Sequence, residues 1–181
     1  ARQFQPIGSS RILTGQQWDA VFSSFFWEHV PPEDKPRILA ECVRVLRVRG
    51  AMVFLYDVET QNPLIRRFRD RSPESYSRLF LERDGHVGYE TPERNLELFR
   101  HAGLTVVEHH GLEKTCLQSP SVYAKFGEFP RKGAVHWSNL ARILGGVLFV
   151  PYTVVTRLVD SMICPFLPQE WARIDLVVLR K

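Results

Sequence analysis

Apolar positions along this chain fall into short unbroken runs and helical stripes, and that rhythm sets most of the expected elements. Asp19 to Ser24 carries Ala20, Val21 and Phe22 without a polar interruption, the pattern of a parallel strand covered on both faces. Pro31 and Pro32 stop extension and suit the first turn of a helix, with Glu33 and Asp34 near the positive end of its dipole. Ile38, Leu39, Cys42, Val45 and Leu46 then recur in steps of three and four, while Arg37, Glu41, Arg44 and Arg47 take the wet side. Gly50 ends the unit, and Ala51 to Val58 is a second apolar run rich in β-formers. Strand, helix and strand in this order make a crossover unit of a parallel sheet.

The rest of the chain is less regular. Ala1 to Gln17 has no period and is broken by Pro6, Gly8 and Gly15. Gln61 to Tyr89 is polar, basic and aromatic, with short helices expected around Pro63–Phe68 and Pro73–Leu81. Thr91, Pro92 and Glu93 start a helix as cap, first residue and dipole partner, and Gly103 stops it. Leu104 to His109 reads as a strand, Glu113 to Lys132 as a loop, and Leu167 to Lys181 as a last strand. Trp137 to Cys164 is strongly apolar, but its longest uncharged run, Ile143 to Thr156, is 14 residues. A membrane span needs about 20, so none is expected. Pro151 should kink or divide this helix.

Composition narrows the class without naming a function. The chain has 181 residues, 44% hydrophobic and 12% aromatic, enough for one domain with a real core. Its net charge of +4 comes from interleaved acidic and basic residues, not from the one-sided concentration of a nucleic-acid binder. The run Arg66 to Arg71 is the local exception and reads as a solvated helix face. Cys42, Cys116 and Cys164 fit no metal or redox spacing, and their odd number points to a reducing, cytoplasmic setting. No two of His86, His101, His109, His110 and His136 have metal-ligand spacing, and adjacent His109 and His110 face opposite sides of a strand. No metal is therefore expected.

The run W-D-A-V-F-S-S-F-F-W-E-H-V, followed by P-P-E-D-K-P-R-I-L-A-E-C-V-R-V-L and A-M-V-F-L-Y-D-V, resembles the middle of class I S-adenosylmethionine-dependent methyltransferases. The string G-H-V-G-Y-E-T-P-E-R-N-L-E-L-F-R-H-A-G-L-T-V-V also looks like that family, in the helix and strand after its fifth strand. The resemblance implies an α/β fold: a partial Rossmann-like sheet holding the fourth to seventh strands, with helices on both faces. Its last strand would run antiparallel between its two predecessors. Residues 1–181 would form a single such domain without its first strands, with residues 113–166 a helical insertion or lid. The glycine-rich turn and ribose-binding acid of the family have no match here, and its Pro-Gly-Gly turn becomes Val48-Arg49-Gly50.

What the resemblance implies about function is methyl transfer from S-adenosylmethionine to a small, hydrophobic acceptor, as part of a complete enzyme. Ser23, Ser24, Phe25 and His29 would contact the cofactor at the carboxyl end of the first strand, where open parallel sheets bind ligands. A phenylalanine face there suits a sulfonium. Tyr56, Asp57 and His86 are the candidates for the acceptor side, with Glu28 and His29 positioning the loop. This chain alone is expected to bind cofactor poorly. Two partner contacts are also expected: a self-association or a partner segment on the strand edge at Asp19–Ser24, and a peripheral membrane contact through residues 137–164. The alternative is a degenerate methyltransferase fold serving as a non-catalytic scaffold.

Overall fold

The computed structural model describes residues 17–127 and 137–181; the expectations for the first 16 residues lie outside them. Four strands form one sheet in the order β1-β2-β4-β3. They are β1, Trp18–Ser24; β2, Leu46–Asp57; β3, Thr105–Leu112; and β4, Ile174–Arg180. β1 and β2 pair in parallel across the helix α1, Lys35–Val45. β4 runs antiparallel to both β2 and β3 and lies between them, as the resemblance implied. The strand proper is shorter than the apolar run suggested, because Gln169–Trp171 forms a single 3-10 turn before it.

Two other boundaries move. α1 begins at Lys35, one turn later than the Pro31-Pro32 pair suggested, because Pro31 instead closes a turn onto the amides of Asp34 and Lys35. β2 begins at Leu46, so Val48-Arg49-Gly50 is a bulge inside the strand and not a turn before it. The pairing jumps there from Trp18 opposite Leu46 to Ala20 opposite Ala51. Arg49 absorbs the extra length at φ 65°, in the left-handed region. Gly50 is needed because a Cβ there would lie 2.7 Å from the Leu46 side chain.

The core sits on one face of the sheet. Met52, Phe54 and Tyr56 of β2 and Val177 and Leu179 of β4 meet Leu39 and Cys42 of α1 and Phe99 of α4, Pro92–His101. Each large apolar side chain buried this way contributes roughly 1.5–3 kcal/mol. Thr91 caps α4 by accepting from the Arg94 amide, and Gly103 ends it at φ 80°. Between β2 and α4 run α2, Pro63–Arg71, and α3, Pro73–Tyr76, which continues as a π-helical turn through Glu82. Of the run expected as a solvated face, Arg66, Arg67 and Arg71 are exposed, whereas Arg69 is half-buried and donates to Gln61 and Glu59.

Between β3 and β4 the chain forms α5, Pro120–Gly127, and α6, Trp137–Ile163. α6 continues through Pro151 as one helix, so of the expected kink or division the division does not occur. Its described half is fixed from the side: the Tyr152 hydroxyl donates to the Gln118 carbonyl, and Asp160 accepts from the Glu113 amide and the Cys164 thiol. Val150, Val154, Leu158 and Met162 recur every fourth residue and are all exposed. Among the described residues no helix is long and apolar enough to cross a membrane.

Candidate functional site

Successive residues of a strand point to opposite faces, and this separates the residues expected to act together at the carboxyl ends of β1 and β2. Ser23 pairs with Phe54 and Ser24 with Leu55, so the two serines do not converge on one ligand group. Ser23 faces the core; its hydroxyl is sealed from solvent and has no hydrogen-bond partner. Ser24 is exposed on the other face. Tyr56 likewise points into the core, fully buried beside Phe54 and Phe99. It therefore does not share the region of Asp57, which projects to the opposite side. Phe25 turns the chain out of β1 at φ 48°, with its amide on the Leu55 carbonyl, and its ring is 45% exposed.

After Phe25 the chain folds inward. Trp27 and Glu28 are buried, whereas Phe26 and His29 are exposed. Trp27 packs against Phe54 and Phe99, and its indole N–H donates to Asn95 at 2.7 Å. Lys35, with no exposed surface, lies over the Trp27 ring and donates to Gly88 O, Glu90 and Asn95. Burial pulls its ammonium down from the usual lysine range, while Glu90 opposes the shift. Lys35 stands one turn before Leu39 on the stripe through Cys42 and Leu46, so the helical period could have found it.

The loop after the π-helical turn brings His86 to this region, about 57 residues further along the chain than His29. The Gly88 amide donates to the Glu28 carbonyl at 2.9 Å, and a Cβ on Gly88 would run into the Val30 carbonyl. Gly85, at φ 71°, offers its carbonyl to His29 Nδ1 at 2.9 Å. The rings of His29 and His86 are 5.2 Å apart, and His86 stacks on Tyr89. Asp57 Oδ2 lies 3.7 Å from His86 Nε2, and its Oδ1 accepts from Arg173 at 2.9 Å. Arg173 also holds Glu113, at 2.7 Å.

Two protonation states follow. Burial pushes the Glu28 carboxyl up to about 7, and the charge of Asp57 adds to that. Burial pushes His86 down from the usual histidine range, against Asp57 and Asp84. A neutral His86 can accept a proton, and Asp57 stands behind its other nitrogen. Nothing in the pattern along the chain marks Arg173 or Glu113 as part of this network, because their approach depends on β4 inserting beside β2.

Comparison with known proteins adds the family context. Residues 11–54, the β1-α1-β2 unit with its approach, match the family described as "Methyltransferase domain". No curated protein sequence matches the chain. Among solved structures, the mycolic acid cyclopropane synthase CmaA1, determined with SAH and CTAB, is similar over 92% of this chain and 56% of its own, with TM-score 0.50 and 13% identity. The cyclopropane synthase MmaA2 from Mycobacterium tuberculosis matches at TM-score 0.49 and 14% identity, over 92% of this chain and 56% of its own. A SAM-dependent methyltransferase from Archaeoglobus fulgidus follows at TM-score 0.45 and 14% identity, over 92% and 60%. The sheet shares the Rossmann-like fold of the first of these structures over the strands present, and the chain spans little more than half the length of these proteins.

Proposed function

We propose that this chain supplies the C-terminal half of an S-adenosylmethionine-dependent methyltransferase whose acceptor is small and hydrophobic. The observation that carries the reading is the family match over residues 11–54, which takes in the end of β1 with Ser24 and Phe25; Asp57 lies just beyond it, at the end of β2. Ser24 and the exposed face of Phe25 suit a zwitterionic head and a sulfonium, the latter through cation–π attraction on the order of 1 kcal/mol. The cofactor brings an already activated methyl group, so the residues here need mainly to position and to exclude water. Where the acceptor must lose a proton, His86 with Asp57 behind it takes that proton. The exposed apolar stripe of α6 favours a hydrophobic acceptor, since α6 is tied through Asp160 and Glu113 to the Arg173–Asp57 pair.

The test is calorimetry with S-adenosylmethionine on two polypeptides: this chain, and this chain extended by whatever coding sequence precedes Ala1 in frame. The extended protein is expected to bind at micromolar concentration, at least tenfold tighter than the chain alone, and Ser24→Trp should abolish binding. Micromolar binding that ignores Ser24→Trp would overturn the site, and an extended protein that binds none would overturn the function in favour of a scaffold.

A further inference from the structure

Glu28, His29 and His86 each place one ligand atom within 4.8 Å of the other two. Such proximity is common among surface groups, so the case rests on what each atom lacks and on what stands behind it. Glu28 is 1% exposed and its Oε2 has no hydrogen-bond partner; His86 Nδ1 is also buried and has none. Among the described residues only seven buried side-chain polar atoms are left this way, and two of them belong to this one group. A buried polar atom left unpaired costs about 1–3 kcal/mol, so a shared occupant would relieve both at once.

The outer contacts favour the histidine forms that ligation needs, by a hydrogen bond at His29 and by a nearby carboxylate at His86. A carbonyl only accepts, so His29 Nδ1 must carry its proton toward Gly85 O, which leaves the Nε2 lone pair free. His86 has the opposite arrangement: Asp57 Oδ2 lies beside Nε2 at 3.7 Å, leaving Nδ1 as the open nitrogen. A ligating imidazole normally donates its other N–H to a carbonyl or carboxylate; His29 does so to Gly85 O, and His86 has the Asp57 carboxylate near its Nε2, at 3.7 Å beyond hydrogen-bond distance. Gly88 locks the two chain segments together through its bond to the Glu28 carbonyl and its contact with Val30.

We propose that Glu28, His29 and His86 bind a divalent first-row transition cation, zinc or iron(II), through one carboxylate oxygen and two imidazole nitrogens. Two nitrogens and one oxygen leave coordination positions open, as in catalytic zinc centres and in the two-histidine, one-carboxylate iron sites. The site can be tested without cofactor or acceptor, but it uses the His86 nitrogen that the methyl-transfer reading assigns to proton acceptance, so His86 does not take a proton while a cation is bound.

The experiment titrates cobalt(II), as a coloured probe, and then zinc into the full chain after treatment with a chelator. One equivalent of cobalt should give visible d–d absorption, which zinc bleaches. Glu28→Gln and His86→Gln should each weaken affinity at least tenfold, and His110→Gln, on an exposed histidine elsewhere, should leave it unchanged. Far-UV circular dichroism confirms that each variant stays folded; if one does not, histidine NMR line broadening by cobalt in the parent chain decides instead, and must fall on His29 and His86. Absence of stoichiometric binding, equal loss in His110→Gln, or broadening centred on other histidines overturns the site. Cofactor calorimetry is read separately, so either proposal can fail alone.

Discussion

At the scale of single residues, burial decides which of the three thiols can react. Cys42 is 4% exposed among the core side chains, and Cys164 is 2% exposed with its thiol donated to Asp160, whereas Cys116 is exposed. Burial pushes both Cys42 and Cys164 up to about 11 from an ordinary 9.0, with the bond to Asp160 adding to the second. At pH 8 N-ethylmaleimide should therefore label Cys116 alone in the folded chain, and mass spectrometry after denaturation should find the other two free. The same shifts give a pH dependence. Folded pKa values above the unfolded ones mean that the native state holds protons the unfolded chain has lost. Their contribution is complete below pH 9 and disappears as pH rises through 11, so the urea midpoint should fall across that window. A shift of two units at Cys42 corresponds to about 2–3 kcal/mol; a midpoint that stays level in Cys42 but moves in Cys42→Ala would reverse the argument.

At the scale of elements, one arginine ties together segments that are remote in sequence. Arg173, just before β4, donates to Asp57 at the end of β2, to Glu113 after β3 and to Ser119 before α5. Arg173→Met keeps the apolar stem but leaves two carboxylates facing each other with no cation between them. Breaking a buried pair in this way costs about 3–5 kcal/mol, and urea unfolding should show it; a loss below about 1 kcal/mol would mean the carboxylates are already satisfied. Lysine at this position should recover only part, since it lacks the planar fork that serves several acceptors at once. The same network explains what could be read from sequence and what could not. The stripe of α1, the Thr91 cap and the Gly103 stop are local signals, with causes within four residues, and the structure keeps them. The position of β4 between β2 and β3 followed from a resemblance and not from periodicity. The grouping of Glu28 and His29 with His86 was invisible, because spacing along the chain says nothing about a loop folding back onto a strand end. Tyr56 and Asp57 were expected in one region, and the two-residue period of the strand instead sends them to opposite faces.

At the scale of the whole molecule, the sheet is asymmetric: its buried cluster lies with α1 and α4, while β1 pairs on one side only among the described residues. Phe22, in the middle of β1, is 65% exposed, and Trp18 is 42% exposed. An apolar strand with unpaired backbone groups is a template for another strand, and in a larger protein a neighbouring strand would meet that need internally. Among the described residues nothing covers that edge, and the net charge of +4 is too small for repulsion to keep copies apart at moderate salt. Sedimentation velocity should show association that grows with concentration. Phe22→Lys adds a charge at the edge and removes apolar area from the contact without disturbing a buried position, so it should return the chain to monomer with its thermal midpoint unchanged. Association that persists in Phe22→Lys but is lost in Leu158→Lys would move the contact to the exposed stripe of α6. A monomer at high concentration would show that β1 needs no partner.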